Sequence, residues 1–157
     1  MPTTVSIEST LQVRDACLCL HAQRAARALA RRFDEALRPF GLTNGQFSLL
    51  MALNRPEPPT LGEAARTLAM DRSTLTAALK PLVRDGLVDV SVDPRDRRGR
   101  RLALTASGHA RLGAALPAWR TLHAMIESEL ATGGLVPDRL RQGLRALEVA
   151  GPVRPDD

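Results

Sequence analysis

Hydrophobic positions recur along this chain at helical rather than alternating spacing for most of its length. From Leu11 to Pro39, a stretch rich in Ala, Leu and Arg, the positions Leu18, Ala22, Ala25, Leu29, Phe33, Ala36 and Phe40 follow one another at three- and four-residue steps. That pattern predicts one long amphipathic helix. Gly41 ends it, and Thr43 with Gln46 forms a T-x-x-Q capping box that opens a second helix through Leu53. Asn54 to Pro59, with three prolines, reads as a loop.

Thr60 with Glu63 repeats the capping box, and Leu61, Ala64, Ala65 and Leu68 share one face of a short helix. After the link Ala69–Met70, Asp71 can cap a further helix that ends near Asp85, with Gly86 supplying the left-handed position. Two short helices joined by a tight turn suggest a helix-turn-helix. Leu87–Val92 and Arg100–Leu104 read as the two strands of a hairpin with the charged tip Asp93–Gly99. Thr105 caps the next helix, with Leu112, Leu116, Trp119, Ile126 and Leu130 on one stripe and Pro117 bending it. Gly133 and Gly134 break that helix, a last one runs from about Pro137 to Val149, and the tail after Gly151 is expected to fray. The expected fold is therefore mainly α, a winged helix-turn-helix with a two-stranded β-wing between terminal helices.

Length and composition bound the rest. A chain of 157 residues fits one folding unit over 1–157, with the winged helix-turn-helix lobe at 43–104 and terminal helical regions at 8–42 and 105–150. No apolar stretch approaches the roughly 18 residues that span a bilayer. Met1–Thr10 has neither a basic cluster nor an apolar core, so it does not read as a secretory signal. Cys17 and Cys19 cannot make a disulfide framework, which points to a reducing cytoplasm. With three Phe, one Trp and no Tyr, a base-stacking surface for single strands is not expected.

The formal charge is +5, and every cation except Lys80 is arginine, whose fork suits phosphate and base edges. On the helix from Asp71 to Asp85, Leu75, Ala78, Leu79, Leu82 and Val83 fall on one side. Ser73, Thr76, Ala77, Lys80 and Arg84 fall on the other, a strip of small hydroxyls, a methyl and two cations that suits a major groove. Arg72, Thr74 and the helix N-terminus flank the strip and suit phosphate. From Asp71 to Arg101 eight cations face five carboxylates. Five of those cations, Arg95, Arg97, Arg98, Arg100 and Arg101, cluster at the hairpin tip, where they are expected over a phosphate backbone or a minor groove.

The run MDRSTLTAALKPLVRDGLV from Met70 to Val88, the D-x-R at Asp96 and Arg98, the LALT at Leu102–Thr105 and the GLTNGQFSLL at Gly41–Leu50 together resemble the MarR family of bacterial transcription regulators. The resemblance implies a homodimer whose terminal helices interlock and whose lobes sit on successive major grooves of a pseudo-palindromic operator. It also implies that Arg98 enters the minor groove, oriented by Asp96. Apolar stripes at both chain ends exceed what one small lobe can cover, which independently calls for a partner copy.

Cys19 falls where the peroxide-sensing branch of that family keeps its reactive cysteine, which suggests a redox role. Gln23, Phe33 and Asn44 stand where that branch has tyrosines. Arg24 and Arg27 could lower a nearby thiol pKa, against the alternative of a small apolar residue on a helix. Residues two apart on one helix point apart, so Cys17 and Cys19 should not bridge within a chain. Family resemblance also implies a small aromatic or phenolic ligand, for which His21, Arg24, Phe33 and Phe47 are candidate lining residues. His123 and Glu127 share a helix face at metal-ligand spacing, but no second cluster completes a site, and no metal or cofactor is expected.

The reading that follows is a homodimeric repressor of double-stranded DNA released by a small ligand or oxidant. An enzyme is not expected, because no nucleophile elbow, Walker loop, dinucleotide fingerprint or zinc-protease motif occurs and His109 has no nucleophile beside it. A winged-helix module that contacts protein instead of DNA is the alternative, against which the arginine-rich tip argues.

Overall fold

The computed structural model describes residues 4–149, so the tail expected to fray after Gly151 lies outside the described residues. The chain divides into two compact units, one up to Leu116 and one from Pro117.

In the first unit, the single helix expected from Leu11 to Pro39 is instead two. Helix α1 spans Ile7–Ala16 and α2 spans Leu18–Leu37, with Cys17 between them in an extended conformation at ψ 104°. The break has a local cause. The Cys17 sulfur takes the N-cap position of α2 and accepts from the Leu20 N–H at 3.4 Å, while His21 Nε2 lies 3.1 Å from the Asp15 carbonyl across the gap. Helix α1 also begins earlier than the hydrophobic spacing indicates, because Ser6 accepts from the Ser9 N–H and caps it. At the other end Pro39 has no N–H to continue the helix, so Arg38–Phe40 tightens into a 3-10 turn that Gly41 stops at φ 66°.

Helix α3, Asn44–Leu53, and helix α4, Leu61–Thr67, both start in complete capping boxes, Thr43 with Gln46 and Thr60 with Glu63. Ala69 takes the left-handed conformation, φ 50°, in the turn before α5, Arg72–Arg84. Gly86, φ 69°, ends α5 and leads into β1, Val88–Val92, which pairs antiparallel with β2, Arg100–Leu104, in the register Val88↔Leu104 to Val92↔Arg100. Leu37, Leu49, Leu50, Leu53, Leu75, Leu82 and Leu102 are almost wholly buried, so residues of α2, α3, α5 and β2 supply the core. Thr105 fixes the chain after the hairpin: its hydroxyl donates to the Gly86 carbonyl at 2.6 Å and accepts from the Gly108 N–H at 3.0 Å. Helix α6, Ala106–Thr132, starts there and buries Leu112 and Ala115.

The second unit holds the remainder of α6, which ends before Gly133 and Gly134, and α7, Pro137–Val149. Leu140, Leu144 and Leu147 of α7 are each more than two-fifths exposed. Among the described residues no helix is long and apolar enough to cross a membrane.

Candidate nucleic-acid interface

Helix α5 is held by Leu75, Leu79 and Leu82, which are buried, and this fixes its opposite face outward. Arg72, Ser73, Thr74, Thr76, Ala77, Lys80 and Arg84 are all exposed, as the spacing predicts. Val83 is a correction to that assignment. It was expected on the buried side but is 41% exposed, because it lies at the edge of the apolar stripe and forms, with Leu61, Leu79, Val90 and Leu102, the apolar wall of a groove of about 420 Å³ between α5 and the hairpin. Asp71 occupies the N-cap position in extended backbone, yet its side chain makes no capping hydrogen bond. The positive end of the helix dipole therefore meets no capping side chain.

Side-chain hydrogen bonds refine what the strip can offer. Thr76 Oγ1 donates to the Arg72 carbonyl at 2.7 Å, so its proton is used within the helix and its methyl and acceptor lone pairs remain for a ligand. Arg84 Nε lies 2.9 Å from Asp85 Oδ1, and that hydrogen bond raises the guanidinium pKa. A Cβ on Gly62 would come 3.1 Å from Arg72 Nη2, so the missing side chain at the start of α4 gives the Arg72 head its place.

The hairpin tip is a folded turn. The Asp93 N–H donates to the Gly99 carbonyl at 3.1 Å and the Gly99 N–H to the Asp96 carbonyl at 2.8 Å. Two carboxylates close smaller turns inside it: Asp93 Oδ1 accepts from the Arg95 N–H at 3.0 Å, and Asp96 Oδ1 from the Arg98 N–H at 2.9 Å. Arg95, Arg97 and Arg98 are exposed on this frame. Arg100 is exposed and donates from Nη1 to the carbonyls of Gly99 and Arg97. Arg101 departs from the expectation that all five tip arginines face a phosphate backbone. Its side chain is only 19% exposed and turns toward Asp93 and the Pro58 carbonyl, because it stands at the tip-side end of β2 beside the proline loop. Neither the part of Arg101 nor that of Asp93 was found from sequence, where arginine spacing alone cannot tell an inward fork from an outward one.

The remaining candidates are more scattered. Phe33 and Phe47 are buried in the core, whereas His21 and Arg24 are exposed on α2. Cys19 is exposed, and its sulfur accepts from Gln23 Nε2 at 3.3 Å. Cys17 is not on the same helix run as Cys19, contrary to expectation, but caps it. In the second unit His123 stacks on Trp119 at 4.6 Å and lies 3.8 Å from Glu127, which pairs with Arg141 at 2.6 Å. Among the described residues no three His, Cys, Asp or Glu side chains gather as metal ligands.

A MarR family model matches residues 40–99, the stretch from Phe40 through the hairpin tip. The chain is 38% identical over 88 residues to the transcriptional activatory protein BadR of Rhodopseudomonas palustris, covering 54% of this chain and 50% of that protein. It is 37% identical over 94 residues to the transcriptional repressor NicR of Pseudomonas putida, covering 60% of this chain and 56% of that protein. The chain thus spans about half the length of these curated relatives. Its fold is similar to that of the M. tuberculosis transcriptional regulator MosR solved in complex with DNA, with a TM-score of 0.76 and 39% identity over 83% of this chain and 92% of that one. The chain belongs to the MarR family of winged-helix transcription regulators.

Proposed function

We propose that the protein is a sequence-specific, DNA-binding transcription regulator that acts as a homodimer on a pseudo-palindromic operator, and that it represses where the operator overlaps a promoter. The observation that carries this reading is the outward strip of α5, Ser73, Thr76, Ala77, Lys80 and Arg84, set on the same lobe as a turn-locked tip bearing Arg95, Arg97 and Arg98. The strip offers contacts to base edges and thymine methyls, the tip offers charge to phosphates or the minor groove, and Arg72 and Thr74 sit at the dipole end that favours phosphate. A second copy of the chain would cover the apolar residues left open on the terminal helices, Ile7, Leu11 and Leu18 at one end and Leu140, Leu144 and Leu147 at the other.

Release would come from a small aromatic or phenolic ligand, for which the exposed His21 and Arg24 are the candidate contacts while Phe33 and Phe47 pack in the core, or from an oxidant acting at Cys19. The test is a salt titration of binding to a duplex selected by the protein from genomic fragments. Log affinity should fall linearly with log salt, with a slope reporting several released counterions. A protein that stays monomeric and ignores duplex DNA at low salt would instead be the protein-contacting module.

A further inference from the structure

Arg101 is tied to two separate parts of its lobe. Its Nε lies 3.2 Å from Asp93 Oδ1 where β1 enters the hairpin tip, and its Nη1 donates to the Pro58 carbonyl at 2.8 Å in the loop before α4. The backbone repeats the connection, since Arg101 bridges Thr60 and the Leu102 N–H donates to the Pro59 carbonyl at 2.9 Å. Asp93, its partner, is the one buried charged residue among those described, 5% exposed. The same carboxylate also accepts from the Arg95 N–H, and the Asp93 backbone holds Gly99. The Arg95 N–H and the Arg101 charge together hold the Asp93 carboxyl below the usual carboxylate range, so the pair is ionised at neutral pH.

A guanidinium whose side chain is only 19% exposed, turned inward between a carboxylate and a carbonyl, is poorly placed to meet phosphate. It is well placed, though, to limit the swing of the hairpin relative to the loop that leads into α4. We infer that Arg101 and Asp93 form a strut that positions Arg95, Arg97 and Arg98 for DNA, and that Arg101 is a positioning residue and not a phosphate contact. The inference rests on the DNA-binding reading above. Its energetic logic is preorganisation: a tip held in place before binding does not lose that freedom on binding.

The experiment compares Arg101→Gln, Asp93→Asn, the double variant and Arg98→Gln with wild type, using a duplex selected by the wild-type protein from a random-sequence pool. Asp93→Asn is the informative change. It removes a negative charge close to the tip arginines, so electrostatics alone would tighten DNA binding, whereas loss of the strut weakens it. The expected result is a loss of about three- to tenfold for Asp93→Asn and for Arg101→Gln, the ordering cost of one or two side chains. The double variant should be no weaker than the worse single variant, because the two act as a unit. Arg101→Gln should leave the log-log salt slope within a fraction of a unit of wild type, while Arg98→Gln lowers it by about 1.

Tighter binding by Asp93→Asn, or a slope lowered by about 1 in Arg101→Gln, would overturn the strut. Amide hydrogen exchange on the DNA-free protein supplies a readout that does not depend on binding: Arg95 and Gly99 should exchange faster in Arg101→Gln, and unchanged exchange also overturns it. Wild-type protein that selects no duplex would overturn the DNA-binding reading itself, and with it the purpose assigned to the strut.

Discussion

The Asp96 carboxylate accepts a hydrogen bond from the backbone N–H of Arg98 at 2.9 Å, so it shapes the turn that carries Arg98 and does not hold the guanidinium. Two effects of Asp96 on DNA therefore oppose each other, its charge repelling phosphate and its turn presenting the arginine. Asp96→Asn keeps an acceptor for the turn and loses the charge, and is expected to hold operator affinity within about threefold of wild type or improve it. Asp96→Ala loses both and should bind more weakly despite its more positive charge. Binding isotherms at two salt concentrations check this, and equal affinity for the two variants would show that the turn does not matter.

Thr76 presents a methyl because its hydroxyl proton is used on the Arg72 carbonyl. If that methyl meets a thymine, Thr76→Val should keep the sequence preference, since valine is also branched and offers the same methyl. Thr76→Ala should lose discrimination at one base pair of each half-site by about 1 kcal/mol or more. Selection of binding sites from a random pool by the three proteins reads this directly. A preference lost equally in both variants would assign the reading to the oxygen instead.

Much of this lobe is legible in the sequence because its signals are local. The two capping boxes place the starts of α3 and α4, and Gly41 and Gly86 place ends that need a left-handed residue. The outward strip of α5 follows from helical spacing alone, since the buried leucines leave no other face for it. What could not be read depends on contacts distant in sequence or on unusual caps. Cysteine is rarely a cap, so nothing in the Ala- and Arg-rich run announces the break at Cys17. Val83 sits at the margin of its stripe, where only the position of the hairpin decides exposure. Arg101 turns inward because of a carbonyl 43 positions away, which no local pattern encodes.

The Thr60–Glu63 box gives the lobe an acid-sensitive element. The Thr60 N–H and hydroxyl hold the Glu63 carboxyl below the usual glutamate range, with Arg101 and Arg66 adding to the effect. A pKa lower in the folded chain than in the unfolded one means the contribution is present above the ordinary glutamate value and is lost as pH falls through the folded value. Glu63→Gln should therefore be less stable than wild type at pH 7, with the gap closing in acid. Thr60→Ala, which removes the cap itself, should destabilise by about 1 kcal/mol. Urea midpoints measured from pH 7 downward test both, and a gap that widens in acid would contradict the assignment.

Cys19 is exposed, and its sulfur is 3.3 Å from the Gln23 amide nitrogen, which donates to it. The form of a cysteine that attacks a peroxide is the thiolate: sulfur takes the distal oxygen as the O–O bond breaks, giving a sulfenic acid and an alcohol or water. If oxidation at this position is the releasing signal, a hydroperoxide should lower the operator affinity of wild type at least tenfold and leave Cys19→Ser unaffected. A thiol reductant should restore wild type. Equal responses from wild type and Cys19→Ser would place the releasing signal elsewhere and leave a small ligand as the effector.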